Sequence, residues 1–598
     1  MSFEFSKKVK ENNNKLFKKT SYDIRAYVGE AGDFFSEKAV LTPEAMESAG
    51  KLMAGLSFKT EDGATVSLKE GDTIVIGYDN GPTSQILAES FAKGVASEGV
   101  NVYDIGVSSS GQVYQNQEQL NTQGHCQITR SHVEVTTNGA KFGIGTQGIH
   151  TYLLGQMNDA VANNTFTHRE CQSGKIIDKS MEAKKVYFEK MKKIYKDYFS
   201  KRDNSMVAVN VFGGTGLEYI ELFKDIFGSK VTILGNTVNV NAGDLLADPT
   251  RKEMLERVPS LQEVLDKGMR VHSFDLDADR GSITEGKEAL TLNGEGHYLG
   301  DNLAFILAAH KLTIAVPNLK KILEELHIAE DKINEIIKIA SVIYVDPRYT
   351  SSVKTYVENQ LHGFTEFHRK GHSLWKETMT ANMKKITSLA GFSSIKEFVA
   401  KTGYRDIQIE ASLHLFATDV EDGIPRDDAV ENIFLLEKLL DEMNIEKLKP
   451  FFDKMPKRFI TKEIRTTSVS NEAKDAITAS ILDTLRNTFK DKKGFSIVEF
   501  DGQIRIDYAT GFLMYGMSNT SPKLTFMAEG ETVKERNMVL AYIMALHNQA
   551  KKQENDNLPM DVSENPFYIK DESYEMNKPD TVDFNDERVK EFVNFINK

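Results

Sequence analysis

Residues 73–106 read TIVIGYDNGPTSQILAESFAKGVASEGVNVYDIG, and the pattern of this stretch decides the fold. An apolar, β-branched run is followed by a turn with Gly and Pro, a segment with apolar residues at helical spacing, and a second apolar run. The same plan recurs in residues 206–235 (MVAVNVFGGTGLEYIELFKDIFGSKVTILG) and 341–361 (SVIYVDPRYTSSVKTYVENQL). Strand–helix–strand order with short turns favours parallel sheets covered by helices. We therefore predict an α/β protein with three such domains in series.

The chain changes character after about Lys449. A stretch reading FSIVEFDGQIRIDYATGFLMYGMSN predicts a hairpin around Asp501-Gly502, and a helix is expected from about Thr532 to Asn548. This pattern indicates a smaller α+β domain. Beyond Lys551 the chain is polar and acidic, which is typical of a linker and tail, and it ends in one short amphipathic helix. The predicted segments are 1–200, 201–315, 316–448, 449–550 and 551–598.

Composition restricts the classes of function. The chain has 598 residues, 40% of them hydrophobic and 27% charged, so it can bury several cores. No apolar run approaches the roughly 18 residues of a membrane span, and the N-terminal residues lack a signal-peptide pattern. Two cysteines, Cys126 and Cys171, cannot build a disulfide framework. A net charge of −13 disfavours binding to nucleic acid. We expect a cytoplasmic protein that binds a small ligand and neither membrane nor nucleic acid.

A first chemical motif is TRSHVEVTTNGAKFGIG, residues 129–145. Ser131 stands beside His132, and Lys141 follows ten positions after the serine. A serine next to a base is a candidate nucleophile, although serine before an Asn-Gly pair is also common in plain turns. The residues alone leave both interpretations open.

A second motif is SFDLDADRGS, in which Asp275, Asp277 and Asp279 alternate along an extended chain. Three carboxylates on one side of a chain can neutralise Mg²⁺, which prefers oxygen ligands. A calcium loop of the EF-hand type is excluded, because Arg280 and Gly286 stand where that motif needs glycine and glutamate. The alternative is a solvated acidic turn. A buried strand predicted at residues 270–274 weakens that alternative.

A third motif is the turn that contains Ser518, Asn519 and Thr520 and is closed by Pro522. Hydroxyl and amide side chains together with exposed backbone N–H groups can cradle an oxyanion such as phosphate. Most clusters of this kind are only turns, so this motif is weak by itself.

Together these stretches resemble the α-D-phosphohexomutases, the family of phosphoglucomutases and phosphomannomutases. SYDIR (residues 21–25) resembles the opening motif of the family, TRSHVEVTTNGAK its phosphoserine loop and DLDADR its metal loop. Four later stretches resemble the substrate-side segments of the family in the same order: DPRYTSS, RKGHSLWKETM, EASLHLFATDVEDGIPRDDAVENIFLLEKLL and SNTSP. The resemblance covers residues from about 20 to 550. It implies three related α/β/α sandwich domains and a smaller C-terminal α+β domain around a central cleft.

The resemblance also implies a reaction, the interconversion of hexose 1-phosphate and hexose 6-phosphate. Ser131 would carry a phosphoryl group near Mg²⁺ on Asp275, Asp277 and Asp279, and Ser131 itself would be a metal ligand. A hexose 1,6-bisphosphate would be both the intermediate and the activator. His132 and Lys141 would take acid–base and charge roles, and Arg25 and Arg280 would add positive charge.

The substrate-side residues are likewise implied by the resemblance. Glu410, Ser412 and His414 would hold sugar hydroxyls, although alternate residues on a strand can also be just its polar face. Further substrate contacts would come from Tyr22, Arg348, His372, Ser518, Asn519, Thr520 and Lys523. Glucose and mannose differ at one hydroxyl, so the expected substrates are phosphates of either sugar. Nothing in the sequence demands an oligomer, so we expect a monomer or a weak oligomer.

Several positions depart from the family pattern where substrate phosphate should bind. Gly516 and Met527 stand where the family has arginines, and Lys523 is a possible substitute. Val133 and Glu134 replace Asn-Pro in the serine loop, and Leu413 stands where glycine is usual. These departures leave a second hypothesis open, a catalytically weak member that acts as a sugar-phosphate-binding or structural protein. A kinase or phosphatase is less favoured, since the chain lacks a phosphate-binding Gly-x-x-x-x-Gly-Lys loop.

Overall fold

The stretch that predicted the fold forms two parallel strands joined by a helix, as expected. In the computed structural model, residues 73–78 and 101–107 are parallel neighbours and residues 84–97 form the connecting helix. The structure describes residues 4–19, 21–30, 33–34, 36–202, 206–238, 246–291, 295–369, 371–461, 463–500, 502–518, 522–558 and 582–597. The chain forms two units. One comprises residues 1–300, 321–336 and 371–448, and the other comprises 301–320, 337–370 and 449–598.

The first sheet has seven strands. They are β1 (Ile24–Tyr27), β4 (Thr73–Tyr78), β5 (Asn101–Val107), β6 (Gly124–Ile128), β7 (Thr137–Ile144), β8 (Gln147–Gly148) and β9 (Ile176–Asp178), and a separate hairpin comprises β2 (Ser57–Lys59) and β3 (Thr65–Ser67). The order is β1-β7-β6-β4-β5-β9, with β8 beside β7. The β6–β7 connection, which carries the serine motif, joins antiparallel strands.

Six helices accompany this sheet: α1 (Lys7–Leu16), α2 (Pro43–Gly55), α3 (Ser84–Ser97), α4 (Ser110–Gln119), α5 (Thr151–Ala162) and α6 (Ser180–Phe199). Strand β4 is apolar along its length, because its central residues are buried on both faces. Helix α4 begins directly after β5, where the Ser109 hydroxyl accepts a hydrogen bond from the backbone N–H of Gln112. This cap fixes the start of α4 at the carboxyl edge of the sheet.

The second sheet has five strands: β10 (Val207–Asn210), β11 (Thr232–Leu234), β12 (Arg270–Phe274), β13 (Gly281–Glu285) and β14 (His297–Tyr298), in the order β11-β10-β12-β13-β14. Its helices are α7 (Ile220–Phe227), α8 (Lys252–Leu255) and α9 (Leu261–Asp266), and a 3₁₀ turn covers Thr215–Tyr219. The parallel pair β10–β11 confirms the second predicted strand–helix–strand unit. Every residue of β12 is buried, so the chain enters the aspartate loop from the core.

The third region has five strands in its described residues, and three of them form an antiparallel sheet that the sequence did not suggest. Its helices are α10 (Gly300–His310), α11 (Val316–Glu325), α12 (Glu330–Ala340), α13 (Ser351–Thr355), α14 (His372–Leu389), α15 (Ile395–Thr402), α16 (Ala429–Glu442) and α17 (Leu448–Phe452), with π turns at Lys311–Ala315 and Tyr356–Gln360. Its strands are β15 (Val342–Val345), β16 (Phe364–Phe367), β17 (Ile407–Ile409), β18 (Leu415–Thr418) and β19 (Pro425–Asp427). The parallel pair β15–β16 confirms the third predicted unit. Strands β17, β18 and β19 form a separate antiparallel sheet in the first unit.

The last region is α+β, as predicted. Its strands are β20 (Phe459–Ile460), β21 (Ile464–Thr467), β22 (Phe495–Phe500), β23 (Gln503–Tyr508), β24 (Gly511–Met517) and β25 (Lys523–Gly530), and its helices are α18 (Asn471–Phe489), α19 (Val533–Gln553) and α20 (Glu587–Ile596). The order is β20-β25-β24-β23-β22, and β21 also pairs with β25. The β22–β23 hairpin confirms the predicted turn, although Asp501 lies outside the described residues.

The terminal helix α20 belongs to the core of the second unit, which the sequence did not indicate. Val589, Phe592 and Ile596 are buried, and the ring of Phe592 lies 5.2 Å from that of Tyr542 on α19. The i, i+3, i+7 spacing of these side chains gives the helix one apolar face. The helix therefore stabilises this unit.

The four-domain division and its boundaries stay a prediction.

Within the residues that the structure describes, one helix, Gly300–Glu325, is long and apolar enough to cross a membrane by length and composition alone, which the sequence did not lead us to expect. In its most apolar window, 61% of the residues are buried inside the protein. A buried apolar helix is what a protein core requires, so this feature is weak evidence for a membrane span.

Candidate active site

Ser131 lies at the turn that follows β6, and it is buried. Its backbone has a φ of +56°, in the left-handed region that residues with a Cβ adopt rarely. Its hydroxyl donates to Asp275 Oδ2 at 3.1 Å, and Oγ lies 3.0 Å from His132 Nδ1. A strained, buried serine that contacts both a carboxylate and an imidazole is more than a turn residue.

Asp79 holds the serine loop in place, a role that the sequence analysis missed. Its carboxylate is buried at the end of β4 and accepts from the Thr129 hydroxyl at 2.7 Å and the Arg130 N–H at 2.9 Å through Oδ2. Its Oδ1 accepts from the Gly81 N–H at 2.8 Å and from the Ser84 hydroxyl. Thr129 Oγ1 in turn accepts from the Ser131 N–H at 2.7 Å. Asp79 therefore holds Ser131 indirectly, because Asp79 accepts a hydrogen bond from the Thr129 hydroxyl, whose oxygen accepts one from the Ser131 N–H.

The three predicted metal ligands converge, as the spacing indicated. Asp275, Asp277 and Asp279 are fully buried, and each offers an oxygen within 4.8 Å of the others. Ala278, with a φ of +50°, bends the loop, and the backbone N–H groups of Asp279 and Arg280 donate to Asp275 Oδ1 at 3.2 and 3.3 Å. The loop connects β12 to β13, so a buried hairpin presents the carboxylates.

The donor set fits a divalent cation. Asp277 Oδ1 and Asp279 Oδ1 are buried and have no hydrogen-bond partner among the described residues. Buried carboxylate oxygens without a donor are costly unless a cation compensates them. Burial, followed by the charges of Asp279 and Asp277, raises the pKa of Asp275 well above its ordinary value. A bound cation would relieve that repulsion.

Lys141 reaches this cluster from β7. Its Nζ donates to Asp277 Oδ2 at 2.7 Å and also to Asp279 Oδ2, and its side chain is buried. Burial alone would lower the pKa of Lys141, but the carboxylates of Asp277 and Asp279 outweigh burial and raise the pKa well above its ordinary value. Burial likewise opposes ionisation of Asp279, yet Lys141 holds the pKa of that carboxyl at about 2. The ammonium therefore supplies fixed positive charge.

His132 differs from Lys141 in charge. Burial, assisted by Arg280 and Arg25, lowers the pKa of His132 well below its ordinary value, so its ring is neutral. Arg280 Nη1 lies 3.3 Å from His132 Nε2, and Arg25 donates to the Thr129 carbonyl at 2.6 Å and to Asp23 at 2.6 Å. Both predicted arginines thus surround the serine loop.

The predicted sugar loop also reaches the metal loop. It connects β17 to β18 as a tight turn, so Glu410, Ser412 and His414 are not alternate positions of one strand face. The Ser412 hydroxyl donates to Glu410 Oε1 at 2.6 Å, and His414 Nδ1 lies 3.6 Å from Asp279 Oδ2. Leu413 has a φ of +72°, which explains why glycine is favoured at this position. The Gly281 N–H donates to the Leu413 carbonyl at 3.2 Å and fixes one loop on the other.

Two further predicted substrate residues lie in the first unit. The ring of Tyr22 packs so close to Gly371 that a Cβ there would lie 2.7 Å from it. His372 is the first residue of α14, and its side chain lies outside the described part of the chain. The structure thus brings Tyr22 to the start of α14 and does not test the contact of His372.

The remaining predicted substrate residues belong to the second unit. Arg348 donates to both oxygens of Asp346, at 2.9 and 2.6 Å. The Ser518 N–H donates to the Lys523 carbonyl at 2.8 Å, and the buried Lys474 donates to the Ser518 carbonyl at 3.0 Å. Asn519 and Thr520 lie outside the described residues. Both ends of the predicted phosphate turn are therefore hydrogen-bonded.

The two positions that lack arginine are packed against neighbouring side chains. A Cβ on Gly516 would lie 2.4 Å from Gln503 Cγ, and Met527 is buried beside Phe512 and Met514. Glu134 is exposed, so solvent screens the negative charge that the sequence placed near Ser131. The substrate-side departures are thus built into the packing of β23, β24 and β25.

Three other polar residues, two of them buried, touch the site without having been predicted. Asp427 Oδ2 lies 3.2 Å from His414 Nδ1, and Lys376 donates to Asp427 Oδ1 at 3.0 Å. The Ser110 hydroxyl donates to Asp277 Oδ2 at 2.6 Å. Their sequence signals are weak, because the contact of Lys376 with Asp427 spans 51 positions and that of Ser110 with Asp277 spans 167. Polar residues directly after a strand were the available hint.

The amino-acid sequence matches known proteins over parts of its length. A family model described as phosphoglucomutase/phosphomannomutase, alpha/beta/alpha domain I, matches residues 18–174. A phosphoglucosamine mutase from Alkaliphilus metalliredigens is 27% identical over 294 residues, which is 44% of this chain and 58% of that protein. A phosphomannomutase from Vibrio cholerae is 36% identical over 69 residues, 12% of this chain and 15% of that protein. The chain thus spans less than two thirds of these relatives.

Solved structures are similar over nearly the whole chain. A phosphoglucomutase/phosphomannomutase family protein from Burkholderia thailandensis has a TM-score of 0.62 at 19% identity and covers 92% of this chain and 99% of its own. The phosphoglucomutase parafusin from Paramecium has a TM-score of 0.56 at 14% identity, covering 91% and 97%. An Aspergillus fumigatus N-acetylphosphoglucosamine mutase, solved with GlcNAc-6P and magnesium, has a TM-score of 0.52 at 12% identity, covering 93% and 100%. At such identities the likeness establishes the fold.

Proposed function

Because the chain belongs to the α-D-phosphohexomutase family, we propose that it interconverts hexose 1-phosphate and hexose 6-phosphate with Ser131 as the phosphoryl carrier. The observation that carries this proposal is the buried cluster around the serine. Ser131 Oγ lies 3.1 Å from Asp275, and Lys141 bridges Asp277 and Asp279 in the same cluster. Phosphoryl transfer requires positioned groups and compensating charge more than covalent chemistry, and this cluster provides both.

The proposed reaction is a balanced exchange. A hydroxyl oxygen of the hexose monophosphate forms a bond to the phosphorus on Ser131 as the bond from phosphorus to Oγ breaks. The hydroxyl gives up its proton, and Oγ regains one or is phosphorylated again. The resulting hexose 1,6-bisphosphate then returns its other phosphoryl group to Ser131. No ATP is consumed, and added bisphosphate would phosphorylate any enzyme that has lost its phosphoryl group.

Asp275, Asp277 and Asp279, with Ser131, are the residues that would hold Mg²⁺. When bound, Mg²⁺ would neutralise charge on the phosphoryl group. The unpartnered oxygens of Asp277 and Asp279 support this role.

The protein's own residues divide the remaining tasks. His132 is neutral, and because the Arg280 guanidinium faces its Nε2 at 3.3 Å, the ring proton lies on Nδ1, 3.0 Å from Ser131 Oγ. His132 is therefore placed to return a proton to Oγ. Lys141, Arg25 and Arg280 supply fixed positive charge around the serine loop. This division follows from the pKa directions together with the geometry.

Further residues are proposed as substrate contacts. Glu410, Ser412 and His414 would bind sugar hydroxyls, since their loop lies against the metal loop. Tyr22 and His372 are further proposed contacts in the first unit. In the second unit, Arg348, Lys523 and the turn residues Ser518, Asn519 and Thr520 are proposed to bind phosphate. Glucose and mannose phosphates are the proposed substrates. Amino sugars are included in the test, because relatives and solved neighbours are named for glucosamine and N-acetylglucosamine.

A second candidate function is binding of sugar phosphate with little turnover. Gly516 and Met527 favour it, because neither residue carries a guanidinium group that could bind phosphate. Two missing guanidinium contacts would each weaken phosphate binding by about tenfold or more.

A direct test measures turnover of a panel of hexose 1-phosphates, from glucose, mannose, glucosamine and N-acetylglucosamine, with Mg²⁺ and a trace of the matching bisphosphate. We expect one or more substrates to turn over in the wild type and none in Ser131→Ala. Ser90→Ala is the matched control, since its hydroxyl donates to the Ile86 carbonyl within α3. Tight binding of hexose phosphate without turnover of any substrate would favour the second candidate.

We further propose a cytoplasmic location and a monomer or weak oligomer without nucleic-acid partners. We also propose a four-domain division at residues 1–200, 201–315, 316–448 and 449–550. Fractionation, light scattering and limited proteolysis at these boundaries test the three proposals.

A further inference from the structure

The first turn of α4 contacts the metal loop through one serine. The Ser110 hydroxyl donates to Asp277 Oδ2 at 2.6 Å, and the Ser110 backbone N–H donates to the Asp277 carbonyl at 2.9 Å. Both residues are fully buried. One residue of α4 thus binds Asp277 by both its side chain and its main chain, and it is the only one among the described residues with two such bonds to that aspartate.

These contacts distinguish the two oxygens of Asp277. Oδ2 accepts from Ser110 and from Lys141, at 2.6 and 2.7 Å. Oδ1 is buried without a hydrogen-bond partner in the described part of the chain. Two donors on one oxygen fix the rotation of the carboxylate, because turning it would break both charge-assisted hydrogen bonds. The other oxygen is therefore held in one orientation and is left without a donor among the described residues.

The turn that carries Ser110 is itself fixed. The Ser109 N–H donates to Tyr219 Oη at 2.8 Å, and the Tyr219 hydroxyl donates to Gln112 Oε1 at 2.6 Å. Tyr219 is buried in the 3₁₀ turn that follows β10. The start of α4 is thus joined to the sheet that carries the aspartates. The partial positive charge at a helix N-terminus also favours a carboxylate there.

We propose that Ser110 is a positioning residue that sets the affinity of the aspartate triad for a divalent cation. The inference rests on the proposed function only in that the triad binds such a cation. Groups that orient metal ligands typically change metal affinity about 10- to 100-fold when they are removed. Ser110→Ala removes one donor from Oδ2 and leaves the Lys141 contact, so a weakening within that range is expected.

The experiment uses Mn²⁺ as the probe and measures its dissociation constant by electron paramagnetic resonance of the free ion. The full-length wild type is compared with Ser110→Ala, with Ser110→Thr, which keeps the hydroxyl, and with Ser90→Ala as the matched control. Circular dichroism and the thermal midpoint confirm that each variant folds. The Mg²⁺ concentration for half-maximal turnover is a second readout.

The proposal predicts Mn²⁺ binding about 10- to 100-fold weaker in Ser110→Ala, substantially restored in Ser110→Thr and unchanged in Ser90→Ala. It also predicts that high Mg²⁺ recovers most of the kcat of Ser110→Ala. Equal affinity in the wild type and in folded Ser110→Ala would overturn the proposal, even with an active mutase. Weaker Mn²⁺ binding in a protein without mutase activity would support the proposal while the proposed function fails. A wild type that binds no Mn²⁺ overturns both.

Discussion

Replacing Asp79 by asparagine tests how the serine loop is held. Each carboxylate oxygen of Asp79 accepts one hydrogen bond from a backbone N–H and one from a hydroxyl. The backbone donor is Gly81 for Oδ1, at 2.8 Å, and Arg130 for Oδ2, at 2.9 Å. The amide of asparagine has a single oxygen. In either orientation its NH₂ group faces one of the two N–H groups, which then stays buried without an acceptor.

The size of the effect follows from that loss. A buried donor left unsatisfied costs about 1–3 kcal/mol. If the cost falls on the loop conformation, it lowers the population of the active loop by about 5- to 150-fold. We expect Asp79→Asn to lower kcat/KM within this range and to lower the urea midpoint of the first unit.

The assay compares Asp79→Asn with Asp104→Asn, which changes a half-buried carboxylate on β5 that accepts from the Gly106 N–H. Both variants are measured for turnover at saturating Mg²⁺ and for urea denaturation at pH 7. We expect a clear loss only in Asp79→Asn. Equal turnover and equal midpoints in the two variants would refute the idea that Asp79 holds the loop.

Three further results are expected. Burial lowers the pKa of His547 to about 3, whereas an unfolded histidine has a pKa of about 6.5. Below pH 6.5 the unfolded chain therefore binds a proton that the folded chain does not bind, and the free energy of unfolding falls as the pH falls from about 6.5 toward 3. The urea midpoint of His547→Gln should therefore fall less between pH 7 and pH 4.5 than that of the wild type, and parallel losses would contradict this. Trp375→Ala should cost about 3–5 kcal/mol, since the ring is fully buried against Phe416, and a thermal midpoint within 1 °C or so of the wild type would contradict it. Chelation with EDTA should abolish turnover and Mg²⁺ should restore it, whereas full activity in EDTA would exclude a required cation.

The fold was predictable where local pattern and tertiary structure agree. In the stretch 73–106 the order of apolar runs, turn residues and helical spacing predicts a strand, a helix and a strand, and these elements are β4, α3 and β5. The antiparallel sheet of β17, β18 and β19 was not predicted, because its strands are only three or four residues long and lack an extended period. Helix α20 was predicted as part of a tail. A short amphipathic segment does not indicate which surface of the protein its apolar face packs against, so its place in the core could not be predicted.

The site was predictable where several chemical residues are close in sequence. The serine motif and the aspartate motif each occupy fewer than 20 residues, so their residue types and spacing indicated the chemistry. Asp79 and Ser110 were missed because they act through contacts with segments far away in the sequence, and Asp427 was missed because its neighbours in sequence do not indicate a contact with His414. Asp79 precedes Arg130 by 51 positions, and Ser110 precedes Asp277 by 167. The pairing of β4 with β6 brings Asp79 to Arg130, and the packing of the first sheet near the second brings Ser110 to Asp277.

The most direct test of the central claim is the phosphorylation state of Ser131. The purified protein is incubated with glucose 1,6-bisphosphate and Mg²⁺, and its tryptic peptides are analysed by mass spectrometry. We expect one phosphoryl group on Ser131, absent from Ser131→Ala and removed again by excess hexose monophosphate. An unmodified Ser131 under conditions in which the wild type turns over hexose phosphate would contradict the account.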